Sequence, residues 1–233
     1  MAGNLLSNSD TAAKLYKHSG FTTTISDSFS SATSDTRGVT WDGTNVYDCG
    51  VAVSYNRAHK YSGFSSTVTT TFTGPGNSML GIAWDGSNFI STDVNADENY
   101  LHSGFTTTIS TTISTADATP TGAAWDGDNL ISCGLGANKI YVHSGFTTTI
   151  SNSFNSPTTV LRALGYDSDN LQSCSTGNDV IYKHSGITST ISSTIASAGL
   201  DPRGCADDSW NGGGDTPVAA VVVPFRTLLG VGT

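Results

Sequence analysis

The sequence predicts an all-β fold, a five-bladed β-propeller of four-stranded blades in which N- and C-terminal strands together close the last blade. Three observations predict it. The phrase His-Ser-Gly-Phe-Thr-Thr-Thr-Ile recurs in close variants from His18, Tyr61, His102, His143 and His184, in steps of 43, 41, 41 and 41 residues. A second phrase, Trp-Asp-Gly-x-Asn, begins at Trp41, Trp84 and Trp125 and decays to Tyr166-Asp167-Ser168-Asp169-Asn170. The first and last fragments of the repeat complement each other. A period of this size, built from short alternating runs and glycine turns, marks one sheet per repeat arranged around an axis.

The elements of one repeat follow in order along residues 36–73. Residues 37–41 form a short strand ending at Trp41, and Asp42-Gly43-Thr44-Asn45 is a tight turn whose Asp-Gly corner supplies the positive φ that a twisted hairpin needs. Residues 46–51 read as the second strand and 59–61 as the third, broken by Ser62-Gly63. Residues 67–72 alternate apolar and hydroxyl side chains with period two, the pattern of a fourth strand, and threonine suits it because its branched side chain fits the pleat.

The ends supply the remaining blade. Residues 4–20 align without gaps with 129–145, so the chain enters at a second strand. Residues 201–208 align with 34–42 across a one-residue gap and supply the missing first strand. The expected blades are 36–73, 79–114, 120–155, 160–196, and 200–208 joined to 4–30, giving a propeller over 1–210 and a glycine linker with an apolar anchoring segment over 211–233. Pairing first and last strands removes open sheet edges. Val39, Ile82, Ala123, Leu164 and Cys205 share one repeat position, and Ile25, Val68, Ile109, Ile150 and Ile191 another; both sets are expected in the core.

Composition narrows the function. A net charge of −9 and a pI near 4.6 argue against nucleic-acid binding, which needs a cationic face. No apolar run approaches the ~20 residues of a membrane-spanning helix. Residues 1–4 show no basic, then apolar, secretory pattern. Cys49, Cys133 and Cys174 are repeat equivalents in different blades, expected to be too far apart for a disulfide, with Cys205 on another strand; four buried thiols fit synthesis in a reducing cytoplasm.

Two sets of residues are candidate sites. The repeated His18, Tyr61, His102, His143 and His184 offer either one ligand pocket at each blade junction or internal packing. Asp93, Asn95 and Asp97 place oxygens at alternate positions of one loop, a calcium candidate that lacks the glycine and distal glutamate of a full calcium loop. No other cofactor is expected. Gly-x-Ser-x-Gly and His-Glu-x-x-His are absent, no catalytic residue stands out, and the protein is expected not to be an enzyme. Departures from the repeat are few, among them Asp207 at a Trp position and Tyr166 at another.

Beyond Asn211-Gly212-Gly213-Gly214 the chain turns apolar. Val218, Val221, Val222, Val223, Phe225, Leu228 and Leu229 either fold back over the ring or dock on another protein by strand addition.

The Trp-Asp-Gly-x-Asn-Leu phrase followed by Lys-Ile-Tyr and then His-Ser-Gly-Phe resembles the repeat units of bacterial and phage propellers of the NHL/YncE-like kind, over nearly all of residues 4–208. The architecture also resembles tachylectin-like sugar-binding propellers, without matching sugar-contacting residues. The resemblance implies a fold and no ligand. Together with the tethered apolar tail it leads to the expectation of a non-enzymatic virion component of a phage, a capsid decoration, fibre or tail protein, docked on other assembly proteins through its C-terminal segment. The alternative is a lectin-like propeller binding surface glycans between its blades. The expected location is the virion, made in the host cytoplasm, or else the cytoplasm itself.

Overall fold

The computed structural model describes residues 3–52, 55–210 and 212–213. In chain order the strands are β1 (Leu5–Ser9), β2 (Lys14–His18), β3 (Ile25–Ser30), β4 (Thr36–Trp41), β5 (Val46–Ala52), β6 (Tyr55–Tyr61), β7 (Val68–Thr73), β8 (Met79–Trp84), β9 (Phe89–Asp93), β10 (Glu98–His102), β11 (Ile109–Ser114), β12 (Pro120–Trp125), β13 (Leu130–Gly134), β14 (Lys139–His143), β15 (Ile150–Asn155), β16 (Leu161–Tyr166), β17 (Leu171–Ser175), β18 (Val180–His184), β19 (Ile191–Ala196) and β20 (Cys205–Asp207). They form five four-stranded antiparallel sheets, and the protein is a five-bladed β-propeller.

Four blades are consecutive meanders, β4 to β7, β8 to β11, β12 to β15 and β16 to β19. The fifth has the order β20-β1-β2-β3, with Leu5 opposite Asp207, Leu6 opposite Ala206 and Ser7 opposite Cys205. The innermost strands β4, β8, β12, β16 and β20 neighbour one another around the axis. They approach closely because the facing positions are small. A Cβ on Gly81 would lie 2.8 Å from Gly122 Cα, one on Gly122 would lie 2.8 Å from Ala163 Cα, and one on Gly204 would lie 2.6 Å from the Val39 nitrogen.

The hydrophobic core is divided into five layers, one at each blade junction. Tyr47, Cys49 and Phe72 of one blade meet Met79, Ile82 and Phe89 of the next. Leu6 and Leu15 meet Val39, Val46 and Tyr61 across one flank of the closing blade, and Cys174 and Ile181 meet Leu5 and Cys205 across the other. Val39, Ile82, Ala123, Leu164 and Cys205 are all buried, as their shared repeat position predicts.

The second predicted core set is corrected. Ile25, Val68 and Ile150 are 37%, 38% and 38% exposed. They open the outermost strands, at the rim of the ring. Four residues further on, Phe29, Phe72, Ile113, Phe154 and Ile195 turn inward and join the five junction layers.

Candidate functional site

The repeated histidines are internal. His18, His102, His143 and His184 are fully buried at the ends of third strands, each beside a bulge in its pairing with the fourth strand. A bulge re-aims a side chain, and here it seats the ring between the strand and its own loop. Nδ1 lies 2.6–2.8 Å from the carbonyl of Thr22, Thr106, Thr147 or Thr188. A carbonyl only accepts, so Nδ1 carries the proton and Nε2 accepts from the hydroxyl of Ser7, Ser91, Ser132 or Ser173 at 2.8–2.9 Å. Burial lowers each imidazole pKa, against the opposing pull of the loop carbonyl.

Tyr61 holds the same place in the β4–β7 blade. Its hydroxyl donates to Asp48 Oδ2 at 2.8 Å and accepts from the Ala32 amide at 2.9 Å, while His59 Nδ1 donates to Asp48 Oδ1 at 2.8 Å. Asp48 stands where the other blades carry serine, so two positions changed together. The ligand-pocket expectation for His18, Tyr61, His102, His143 and His184 is therefore corrected: both ring nitrogens of each repeated histidine are spent, and no edge reaches solvent.

The Trp-Asp-Gly-x-Asn corner is a second internal device. Asp42 Oδ1 accepts from the amides of Thr44 and Asn45 at 2.8 and 2.6 Å, and Asn45 Oδ1 accepts from the Gly63 amide at 3.2 Å. Asp85 with Asn88, Asp126 with Asn129, and Asp167 with Asn170 repeat the arrangement, each asparagine holding the glycine of its own His-Ser-Gly loop.

In the closing blade this corner is split between the two ends of the chain. Asp208 takes the aspartate role, and its Oδ1 accepts from the Asn4 amide at 2.6 Å. Asn4 takes the asparagine role, donating through Nδ2 to Asp208 Oδ2 at 3.0 Å and accepting from the Gly20 amide at 3.1 Å. Lys17 Nζ adds an ion pair 2.7 Å from Asp208. Burial pushes the Asp208 carboxyl pKa up, but the hydrogen bonds from Lys17 and Asn4 outweigh it and leave the pKa lowered.

The break in the repeat opens a cavity. Where three blades carry tryptophan and one carries Tyr166, the closing blade carries Asp207, and a cavity of about 460 Å³ lies beside it. It is lined by Gly3, Phe21, Asp167, Ser168, Asp169, Asn170, Lys183 and Asp207. Lys183 Nζ stands 5.8 Å from the centre of the Phe21 ring and 2.5 Å from Asp167 Oδ2. Asp207 Oδ1 accepts from the amide and hydroxyl of Ser209, yet burial dominates and raises its pKa. The walls thus combine one aromatic face with several carboxylates, an amide and an ammonium. The sequence signal was Asp207 itself, a charged residue at an aromatic repeat position.

Trp210 was not anticipated. It follows the closing strand and lines one end of the axial channel together with Trp41, Trp84, Trp125 and Tyr166. Its Nε1 donates to the Trp125 carbonyl at 2.9 Å and its ring meets Tyr166 edge-on at 5.2 Å. That end of the channel is capped.

The calcium expectation at Asp93, Asn95 and Asp97 is corrected. Asp93 is 2% exposed; its Oδ1 accepts from the amides of Asn95 and Ala96 at 2.9 Å, and its Oδ2 from the Ser78 amide at 2.7 Å. Asp97 turns the loop with φ of 54°. The carboxylate is a hub for backbone amides, and among the described residues no group of three or more His, Cys, Asp or Glu could hold a metal ion. Cys49, Cys133, Cys174 and Cys205 are buried and free. Burial pushes the Cys133 thiol up to about 12 and that of Cys174 well above the usual range. Val218, Val221, Val222, Val223, Phe225, Leu228 and Leu229 lie outside the described residues.

No family profile matches the chain, and no curated protein matches it. Solved structures do. A chain of a nidogen/laminin complex is 13% identical with a TM-score of 0.63, over 89% of this chain and 98% of that one. The glutaminyl cyclase of Myxococcus xanthus is 13% identical with a TM-score of 0.60, over 70% of this chain and 71% of the enzyme. At this identity the likeness is one of fold, and a fold alone assigns no activity.

Proposed function

We propose that this protein is a non-enzymatic binding propeller whose ligand is a polyhydroxylated, glycan-like molecule held in the cavity beside Asp207. The observation that carries the reading is the cavity's position at the blade where Asp207 stands in the aromatic repeat position. Its volume of about 460 Å³ suits a small ligand. An aromatic ring such as Phe21 packs against the C–H face of a sugar, and the exposed Asp169 carboxylate and the Lys183 ammonium supply an acceptor and a donor for adjacent hydroxyls. The non-enzymatic part rests on the interior use of the imidazoles and thiols, the groups that serve most often as bases and nucleophiles. This version of a lectin has one asymmetric site, in place of five histidine-lined ones.

The test is a glycan array probed with the intact protein beside Asp207→Ala and Phe21→Ala. Binding by the parent and at least tenfold weaker binding by both variants, each still folded at the assay temperature, is expected. A silent array sinks the reading.

The setting we propose is a phage virion, as a decoration, fibre or tail protein that displays the ring and docks through residues 216–231. Its support is the repeat resemblance and the change of composition after the glycine linker. A chain ending at Asp215 is expected to remain a monomeric ring and to lose association with the particle. Retained association would remove the docking role from the tail.

A further inference from the structure

We propose that the end of the axial channel opposite Trp210 binds a small oxyanion on Arg37, Arg162 and Arg203. The five innermost chain segments each place one residue at this mouth, and the shallow recess there, of about 10 Å³, is lined by Arg37, Leu80, Thr121, Arg162 and Arg203. In a chain with ten basic residues and a net charge of −9, three of the ten converge at one point on the axis. They come from adjacent blades, so the positive groups form a continuous arc, while Leu80 and Thr121 make a neutral wall. Thr121 is not free to join them, since its hydroxyl donates to the Leu161 carbonyl at 3.1 Å.

Two of the guanidinium groups are held from one side by carboxylates. Arg37 Nη2 donates to Asp35 Oδ2 at 2.7 Å, and its Nε lies 2.5 Å from Asp35 Oδ1. Arg203 donates through Nε and Nη2 to Asp201 Oδ2 at 3.0 and 2.6 Å, and Nε is also 3.0 Å from Asp10 Oδ2. Among the described residues this grip leaves the Nη1 ends without a hydrogen-bond partner: for Arg37 Nη1 the paired carboxylate is Asp10 at 4.0 Å, beyond hydrogen-bond reach. Arg162 has only a long hydrogen bond from Nε to Thr176 Oγ1 at 3.5 Å, and among the described residues it forms no ion pair. A planar guanidinium pinned along one edge and open along the other is a pre-positioned donor for phosphate, sulfate or carboxylate.

The carboxylates around the arginines are Asp10, Asp35 and Asp201, with Asp179 beside Asp201. Burial and a hydrogen bond with Asp35 push the Asp10 carboxyl up to about 7, against the opposing pull of Arg37. This mouth and the cavity beside Asp207 lie at opposite ends of the inner strands, so either site can fail without the other.

Sulfate is the probe of choice because its charge is constant across the working pH range. The intact protein is titrated with sodium sulfate against sodium chloride at matched ionic strength, following the melting temperature. Saturable stabilisation by sulfate alone is expected, as for any ligand bound only by the folded state. Arg162→Gln should raise the half-saturating concentration at least tenfold, measured against its own sulfate-free melting temperature, because Arg162 also acts favourably on the Asp201 carboxylate. Arg162→Lys, which keeps the charge but not the fork, should weaken binding to a lesser degree and serves if the glutamine variant is unstable. A parallel acetate titration separates a carboxylate ligand from a tetrahedral one. An equal response to sulfate and chloride, or an unchanged midpoint in both variants, overturns the proposal.

Discussion

A buried histidine is stable here because each of its two nitrogens has one partner of the right kind. The loop carbonyl fixes the proton on Nδ1, and the serine hydroxyl then completes the ring at Nε2. Removing one partner exposes the cost of the arrangement. Ser132→Ala leaves His143 Nε2 buried without a donor, and a loss of about 1–3 kcal/mol is expected in urea unfolding. A loss under half a kcal/mol would show that water or a rotated ring replaces the hydroxyl. The Tyr61–Asp48 pair makes the same point from the other side: when the histidine changed, its serine partner changed with it, and Ala32 and His59 were drawn in to satisfy the carboxylate and phenol.

At the scale of the strand, closeness at the axis limits which residues the inner strands can carry. Gly81 has no special backbone angle, so it is required by proximity alone, with the Ala123 nitrogen and Gly122 Cα each 2.8 Å from where its Cβ would stand. These neighbours are backbone and cannot swing aside. Gly81→Ala is expected to cost about 1–3 kcal/mol through displacement of a neighbouring strand, read in the same unfolding experiment. Gly104 is the contrast. Its φ is +65° and nothing lies within 4 Å, so asparagine, which tolerates this conformation, should substitute for about 1 kcal/mol or less. Equal losses at both positions would contradict the steric account.

For the whole molecule the decisive event is closure. A three-residue strand, β20, ties the chain ends into one sheet, and the Asp208–Asn4 corner performs without a covalent turn what Asp42-Gly43-Thr44-Asn45 performs within one. The Asp208 carboxyl is held below its unfolded value of 3.8, so its contribution is complete above pH 3.8 and disappears as pH falls through the lower folded-state value. Asp208→Asn should therefore destabilise the ring near neutral pH, by on the order of 1 kcal/mol given its partial exposure, and the difference from the parent should shrink below pH 3.8. A difference that stays constant across that range would place the effect outside the ionised corner.

The repeat phrases alone determined the number of blades, the strand order within each and the identity of the closing blade. They could do so because β-strands alternate locally and the turns between them have residue requirements of their own. The same phrases left the histidines undecided between pocket and packing, since a residue repeated in every blade looks alike in either role. Tertiary structure decided that, and it also moved the fourth-strand core position from Ile25 and its equivalents to Phe29 and its equivalents. Exposure depends on how far a strand projects past the neighbouring blade, a distance set by stacking. The arginine mouth gathers one repeat position, four residues before Trp41, Trp84, Trp125, Tyr166 and Asp207, but only closure brings Arg203 beside Arg37; the cavity beside Asp207 likewise needs the closing blade to supply Gly3 and Phe21.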